Sequence, residues 1–221
     1  MTSPCRGLRV LVSAGPTFED IDPVRFIGNR SSGRMGFAIA AAAARRGADV
    51  CLVAGPVHLS TPDGVQRIDV RSAAQMRAAV LAALPADVYV GAAAVADYTP
   101  AQVAERKLKK DAGSGRLVLE LVRTADILAE VAAHLPRPRL VIGFAAETHD
   151  LEAYARDKLA RKRVDLIAAN RVGEAGSGFE SEDNTLVVYG PGLERTLGPA
   201  PKTQLADELL DLAAACLETM R

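Results

Sequence analysis

Tryptophan is missing from this 221-residue chain, and all aromatics together reach only 4%. The hydrophobic share of 49% must therefore pack as an Ala/Val/Leu core. Three cysteines, Cys5, Cys51 and Cys216, are odd in number and widely spaced. They offer neither a disulfide framework nor metal-ligand spacing, and they suit a reducing cytoplasm. Charge of one sign is not in excess: Lys+Arg and Asp+Glu stand at 27 each, so nothing draws nucleic acid or a membrane surface. No apolar run is free enough of charge to cross a bilayer, since the best stretch, 35–55, is broken by Arg45, Arg46 and Asp49. The run after Arg9 is too short for a signal peptide and turns at once into Gly15-Pro16. A Ser-His-Asp pattern is absent, with His58, His134 and His149 outside every motif. Repeats, low-complexity tracts and interdomain linkers are absent too, so 1–221 reads as one domain.

What is present is a β-α alternation. Apolar runs at 8–12, 49–54, 65–70 and 87–92 are separated by helical patterns at 37–46 and 73–84, the latter capped by Ser72. Near-continuous apolar strands of this kind imply a parallel sheet covered on both faces. The alternation breaks after Ala92. A basic segment, Arg106-Lys107-Leu108-Lys109-Lys110, leads to a turn at 111–115 and a weak strand at 117–122. Thr124 then caps a helix over 125–134, followed by a strand at 140–145, a helix from Asp150 to about Arg163 and a strand at 165–169. A loop over 171–184, a short strand at 185–189 and a closing helix over 202–218 complete the chain. The fold class is α/β: a Rossmann-like, mostly parallel sheet with helices on both faces, plus a small strand-and-loop excursion suited to dimerisation.

The stretch Ser13–Gly36 organises the rest. It is a long polar loop between a strand and a helix, and loops this rich in chemistry are usually functional. Its end, Asn29-Arg30-Ser31-Ser32-Gly33, offers Ser31 or Ser32 as an N-cap and Gly33 as an uncovered approach to the first turn. An ordinary capped helix would read the same way, but Asn29 and the nearby arginines favour an anion site, for phosphate. Two further clusters lie at strand ends, where open α/β sheets bind ligands. One is Asp97 with Lys107, Lys109 and Lys110 behind it. The other is Gly143–Thr148 with the next helix, where Lys158 and Lys162 stand four apart and face either a polyphosphate or solvent.

The series SAGPT…IDPVRFIGNRSSGRMGFAIA, AAVADY, KLKK, GFAAET and YARDKLARKRVDLIAAN resembles bacterial phosphopantothenoylcysteine synthetase, from Leu8 to the last helix. That family is the synthetase part of the bifunctional coenzyme A biosynthesis protein. The resemblance implies CTP-dependent activation of 4′-phosphopantothenate as an acyl-cytidylate, with Mg²⁺ or Mn²⁺, followed by amide formation with L-cysteine. It implies Asn29 and Lys107 as catalytic residues. The implied nucleotide set is Asp97, Lys107, Phe144, Lys158, Lys162 and the segment Arg123, Thr124, Ala125, Asp126, which reads RTAD where relatives often carry a Lys-Asn-Pro-Asp type sequence. The implied substrate set is Arg25, Asn29, Ser31, Ser32, Gly33, Ala93 and Ala94, with backbone at Ala92–Ala94 also placed to read a pyrimidine edge. Metal ligands are not implied. A cytoplasmic homodimer is implied, fused or bound to a flavin-dependent decarboxylase, with no flavin held in this chain.

Two other readings compete. A short-chain dehydrogenase would use Tyr154 and Lys158 as a Tyr-x-x-x-Lys pair. The loop to Gly33 is far too long for its Gly-rich fingerprint, and no acidic residue closes the second strand at Val53–Pro56. A non-catalytic nucleotide-binding subunit would share the fold. Whether Asn29 and Lys107 face one pocket distinguishes these.

Overall fold

The computed structural model describes residues 5–109, 115–171 and 183–220. The chain opens with β1 (Arg9–Ala14), a short hairpin of β2 (Phe18–Asp20) and β3 (Phe26–Gly28), then α1 (Arg34–Arg45). It continues through β4 (Asp49–Ala54), β5 (Val65–Asp69), α2 (Ala73–Ala82) and β6 (Val88–Gly91). A two-stranded ribbon follows, made of β7 (Tyr98–Pro100) and β8 (Leu121–Arg123). Next come α3 (Ile127–Ala132), β9 (Leu140–Glu147), α4 (Leu151–Lys162) and β10 (Leu166–Arg171). The last elements are β11 (Asp183–Gly190), β12 (Leu193–Pro201) and α5 (Lys202–Thr219).

Eight strands form one sheet in the order β12-β11-β10-β9-β6-β1-β4-β5, parallel except for β11 and β12. Alternation along β1 splits the core between two faces. Val10, Val12 and Ala14 join α1 and α5, whereas Leu11 joins α2, α3 and α4. Chain order reverses at β1: β4 lies on one side and β6 on the other. That reversal opens a crevice above the carboxyl ends of the two strands.

Alanines let α1 lie close to β1, and Gly36 sets the distance. A Cβ there would sit 2.4 Å from the Ala14 Cβ. The helix begins earlier than its apolar pattern suggests, at Arg34, with Gly33 as N-cap at φ 72°. No side chain caps it, so the expectation of Ser31 or Ser32 in that role is corrected. A left-handed turn carries the chain into the helix instead, and the Ser31 hydroxyl accepts from the Gly33 N–H at 3.3 Å. Thr124 is likewise not a cap. Asp126 caps α3 by accepting from the Ala129 N–H at 3.1 Å, so that helix is shorter at both ends than expected.

The strand expected over 117–122 is only β8, paired with β7 outside the main sheet. Of the expected loop 171–184, residues 183 and 184 belong to β11, and 172–182 lie outside the described residues, as do Lys110 and 111–114 of the turn. Among the described residues no helix is long and apolar enough to cross a membrane. Cys5, Cys51 and Cys216 are all free thiols.

Candidate active site

A cavity of about 890 Å³ occupies the reversal crevice. Its rim is built first by the segment after β6, whose backbone is held almost atom by atom. The Ala94 N–H donates to the Gly15 carbonyl at 2.9 Å and the Ala92 N–H to the Ser13 carbonyl at 3.0 Å. The Thr17 hydroxyl accepts from the Ala96 N–H at 2.9 Å, and the Thr124 hydroxyl donates to the Ala96 carbonyl at 2.6 Å. A loop so fully paired is pre-organised for a ligand. Thr17, fully buried, belongs to no local motif that would single it out.

Asn29 reaches this segment. Its Nδ2 donates to the Val95 carbonyl at 2.9 Å. The acceptor is a carbonyl, so the amide must present nitrogen there and keep Oδ1 as an acceptor for a ligand. Below, the Ser13 and Tyr89 hydroxyls share a hydrogen bond of 3.0 Å, and burial pushes the Tyr89 hydroxyl up to about 12. Tyr89 is therefore a neutral floor.

The α3/α4 side carries the charge. Lys158 Nζ donates to the Phe144 carbonyl at 2.7 Å. Burial pushes its ammonium below the ordinary lysine range, against the opposing fields of Glu147 and Asp97. Lys162 pairs with Asp126, the carboxylate that caps α3, and burial lowers its pKa too while Asp97 opposes. Both lysines thus face the cavity from one side of α4.

The cavity brings together Asn29, Ser31, Ser32, Gly33, Ala93, Ala94, Asp97, Arg123, Thr124, Ala125, Asp126, Phe144, Lys158 and Lys162. Arg25 and Lys107 do not line it. Arg25 is instead bound to the Asp22 carboxylate, through Nε at 3.0 Å and Nη2 at 2.5 Å, and Nη2 also donates to the Leu108 carbonyl at 3.1 Å. Lys107, next in sequence to Leu108, is exposed. Within one chain, Asn29 and Lys107 do not face one pocket. Tyr154 is also outside it, its hydroxyl 3.4 Å from His149 Nε2, so the dehydrogenase pair is not assembled. Three lining residues that sequence reasoning gave no role are Arg34, Asn170 and Lys202.

Among the described residues no group of three His, Cys, Asp or Glu side chains could cage a metal ion. The cavity's carboxylates are Asp97, Asp126 and Glu147, and Asp126 is already paired. This donor set does not fit a resident metal.

A crevice at the reversal point of a doubly wound parallel sheet, lined by clamped backbone and cations, defines a Rossmann-like α/β ligand-binding domain. The chain belongs to the family described as DNA/pantothenate metabolism flavoprotein C-terminal domain, whose model matches residues 5–217. It is 51% identical over 207 residues to the coenzyme A biosynthesis bifunctional protein CoaBC of Vibrio cholerae, covering 93% of this chain and 52% of that protein. Against the CoaBC of Escherichia coli K12 it is 50% identical over 206 residues, covering 92% and 51%. The crystal structure of the C-terminal domain of a CoaBC protein superposes with a TM-score of 0.83 at 38% identity, covering 98% of this chain and 99% of that one. The chain thus spans about half the length of the curated relatives it matches.

Proposed function

We propose that this chain is a phosphopantothenate–cysteine ligase that uses CTP. The observation that carries the reading is a single cavity in which Asn29 and the Ser31–Gly33 turn meet Asp97, Phe144, Lys158 and Lys162. Family membership and half-length identity to bifunctional coenzyme A biosynthesis proteins support it.

The chemistry suits the residues. A carboxylate is a poor acyl donor because its leaving group would be oxide. In the first half-reaction a carboxylate oxygen of 4′-phosphopantothenate attacks the α-phosphorus of CTP, and the bond to pyrophosphate breaks. In the second, the amine of L-cysteine attacks the acyl carbon, CMP leaves and the ammonium proton is lost. Both steps need alignment and charge neutralisation rather than a protein nucleophile. Lys158 and Lys162 are placed to neutralise phosphate, and Asp97 to accept from nucleotide hydroxyls. Asn29 Oδ1, left open by the bond to Val95, is placed to accept from the incoming amine. Ser31, Ser32 and the uncapped first turn of α1 offer donors to anionic oxygens.

Arg25 and Lys107 enter as residues of the Asp22-anchored segment, which must approach a cavity from its own chain or from a second copy. The exposed ribbon of β7 and β8, with Tyr98, Leu121 and Val122 on its surface, supports a homodimer through this excursion. Fusion or binding to a flavin-dependent decarboxylase follows the bifunctional relatives, and three free thiols support a cytoplasmic setting.

The test is incubation with CTP, 4′-phosphopantothenate, Mg²⁺ and L-cysteine. Pyrophosphate release together with a product of the mass of phosphopantothenoylcysteine is expected. Its absence overturns the assignment.

A further inference from the structure

The hydrogen bonds between the chain after β1 and the chain after β6 follow a two-residue register. The Ala92 N–H donates to the Ser13 carbonyl and the Ala94 N–H to the Gly15 carbonyl. The next donor in that register is Ala96, and the next acceptor position is Thr17. There the main chain has already turned away towards β2, with the Phe18 N–H donating to the Arg71 carbonyl at 2.8 Å. The Thr17 hydroxyl takes over, accepting from the Ala96 N–H at 2.9 Å. Thr17 is 0% exposed and Ala96 3%, so that N–H is costly to leave without an acceptor.

The same peptide is held from its other edge by Asn29. The Val95 carbonyl and the Ala96 N–H belong to one planar trans unit and point in opposite directions. Asn29 Nδ2 donates to that carbonyl at 2.9 Å and reaches the Ala94 carbonyl at 3.5 Å. The Ala94 carbonyl also accepts from the Thr17 N–H at 3.3 Å. Thr17 therefore touches both peptides on which the Asn29 carboxamide rests. The hairpin brings this about: β2 leaves from Thr17 and β3 returns to Asn29, with Phe18 opposite Gly28. A Cβ on Gly28 would lie 2.9 Å from the Thr17 carbonyl oxygen, so the two legs are closely joined.

We propose that Thr17 is a positioning residue for Asn29. Its hydroxyl fixes the plane of the Val95–Ala96 peptide, and that plane holds the Asn29 carboxamide with Oδ1 turned towards the incoming amine. The consequence for amide formation rests on the ligase reading above; the coupling of Thr17 to Asn29 does not. Thr17 does not line the cavity, so its effect has to pass through this peptide. Without the hydroxyl the buried Ala96 N–H is unpaired, and the peptide rotates towards another acceptor. Its carbonyl then turns away from Nδ2, and the exposed Asn29 loses the anchor that orients it. Small displacements of an aligned group are enough to slow the step it serves.

The test compares the unmodified protein with Thr17→Val, which keeps shape and backbone N–H but not the acceptor, and with Thr17→Ser, which keeps the acceptor. Thr17→Ala takes the place of Thr17→Val if the latter does not fold. In the ligand-free protein the Asn29 side-chain amide resonances, identified by their loss in Asn29→Ala, should shift in Thr17→Val and return in Thr17→Ser. Single-turnover reactions with CTP, 4′-phosphopantothenate, Mg²⁺ and L-cysteine then time pyrophosphate release and amide formation separately. Amide formation should slow by about tenfold or more in Thr17→Val, with pyrophosphate release nearly unchanged, and should recover in Thr17→Ser. Thr17→Val added to Asn29→Ala should cause no further loss, because both act through one group. Equal slowing of the two half-reactions, or independent losses in the double variant, would make Thr17 a structural residue only and overturn the proposal. Unmoved Asn29 resonances in folded Thr17→Val would overturn it as well. An inactive unmodified protein refutes the ligase reading alone, since the resonances still report the coupling.

Discussion

The buried Asp22 carboxylate accepts a hydrogen bond from the Leu108 N–H at 3.1 Å, 86 residues further along the chain. The same carboxylate binds the Arg25 guanidinium and the N–H groups of Val24 and Arg25, at 2.8 and 2.9 Å. Arg25 completes the clamp by donating to the Leu108 carbonyl. One aspartate thus ties the turn after β2 to the segment that carries Lys107.

This clamp has a pH signature. The guanidinium of Arg25, helped by three backbone N–H groups, holds the Asp22 carboxyl well below the usual carboxylate range. A depressed folded pKa stabilises the fold above the unfolded value of about 3.9 and loses that contribution as pH falls below it. Asp22→Asn should therefore lower the melting temperature at pH 7, with the gap from the unmodified protein shrinking towards pH 3. Thermal scans at both values check it, and a gap independent of pH would contradict the clamp.

Lys107→Ala is expected to impair acyl-cytidylate formation, because a cation at developing negative charge commonly matters by about 10²–10³ in rate. Lys107 does not line the cavity of its own chain, so its site of action is open to test. Mixing Lys107→Ala with Asn29→Asp under subunit exchange should restore product if Lys107 serves the partner's cavity. No recovery would place its action within one chain. A fully active monomer in sedimentation at micromolar concentration would contradict the dimer itself.

CTP should support turnover far better than ATP. Ala92 and Ala94 give their N–H groups to Ser13 and Gly15, so Ala93 is the residue of that segment left to read a base edge. So narrow a readout suits a pyrimidine. Equal turnover with ATP, measured by pyrophosphate release, would refute it.

Asn29→Asp discriminates a chemical role from a merely structural one. The side chain spans to Val95 and leaves α1 uncapped, so helix capping does not explain it. Aspartate would oppose a carboxylate to the Val95 carbonyl and repel an anionic intermediate. The expected result is continued pyrophosphate release with trapped acyl-cytidylate, visible by mass spectrometry, and little amide. Normal amide formation would sink the assignment.

The parallel sheet was legible because its strands are buried on both faces and read as continuous apolar runs, as in β1, β4 and β9. β12 was not, since LERTLGPAP at the sheet edge is polar and buries only Leu197 and Ala200. The hairpin of β2 and β3 escaped notice because three-residue strands carry no period. Its Phe18 and Phe26 rings stack at 4.0 Å, a contact that local pattern does not announce. Thr124 and Asp126 are both good cap residues, and only tertiary position chooses between them. Most motif residues of the site gather in one cavity because they sit at strand ends. Asn170 and Lys202 have no local signature and meet only through the order of strands.

Gly36 offers a test of how tightly fold and site are joined. It packs α1 onto β1, where a Cβ would meet the Ala14 Cβ at 2.4 Å and the Ala14 Cα at 3.2 Å. Neither atom is the far end of a flexible side chain, so Gly36→Ala must push the helix start away from the sheet. Alanine's better helix propensity offsets about 1 kcal/mol. Overpacking of this kind costs about 1–3 kcal/mol, so a modest net fall in stability is expected. In a domain of this size each 1 kcal/mol moves the melting temperature by about 2–4 °C. The larger effect should be functional, because the displaced turn carries Ser31, Ser32 and Gly33 on the cavity wall. Steady-state kinetics should show a lower kcat/KM than the small change in melting temperature alone would suggest. If Gly36→Ala leaves both melting temperature and kcat/KM unchanged, the close approach of α1 does not set the geometry of the site.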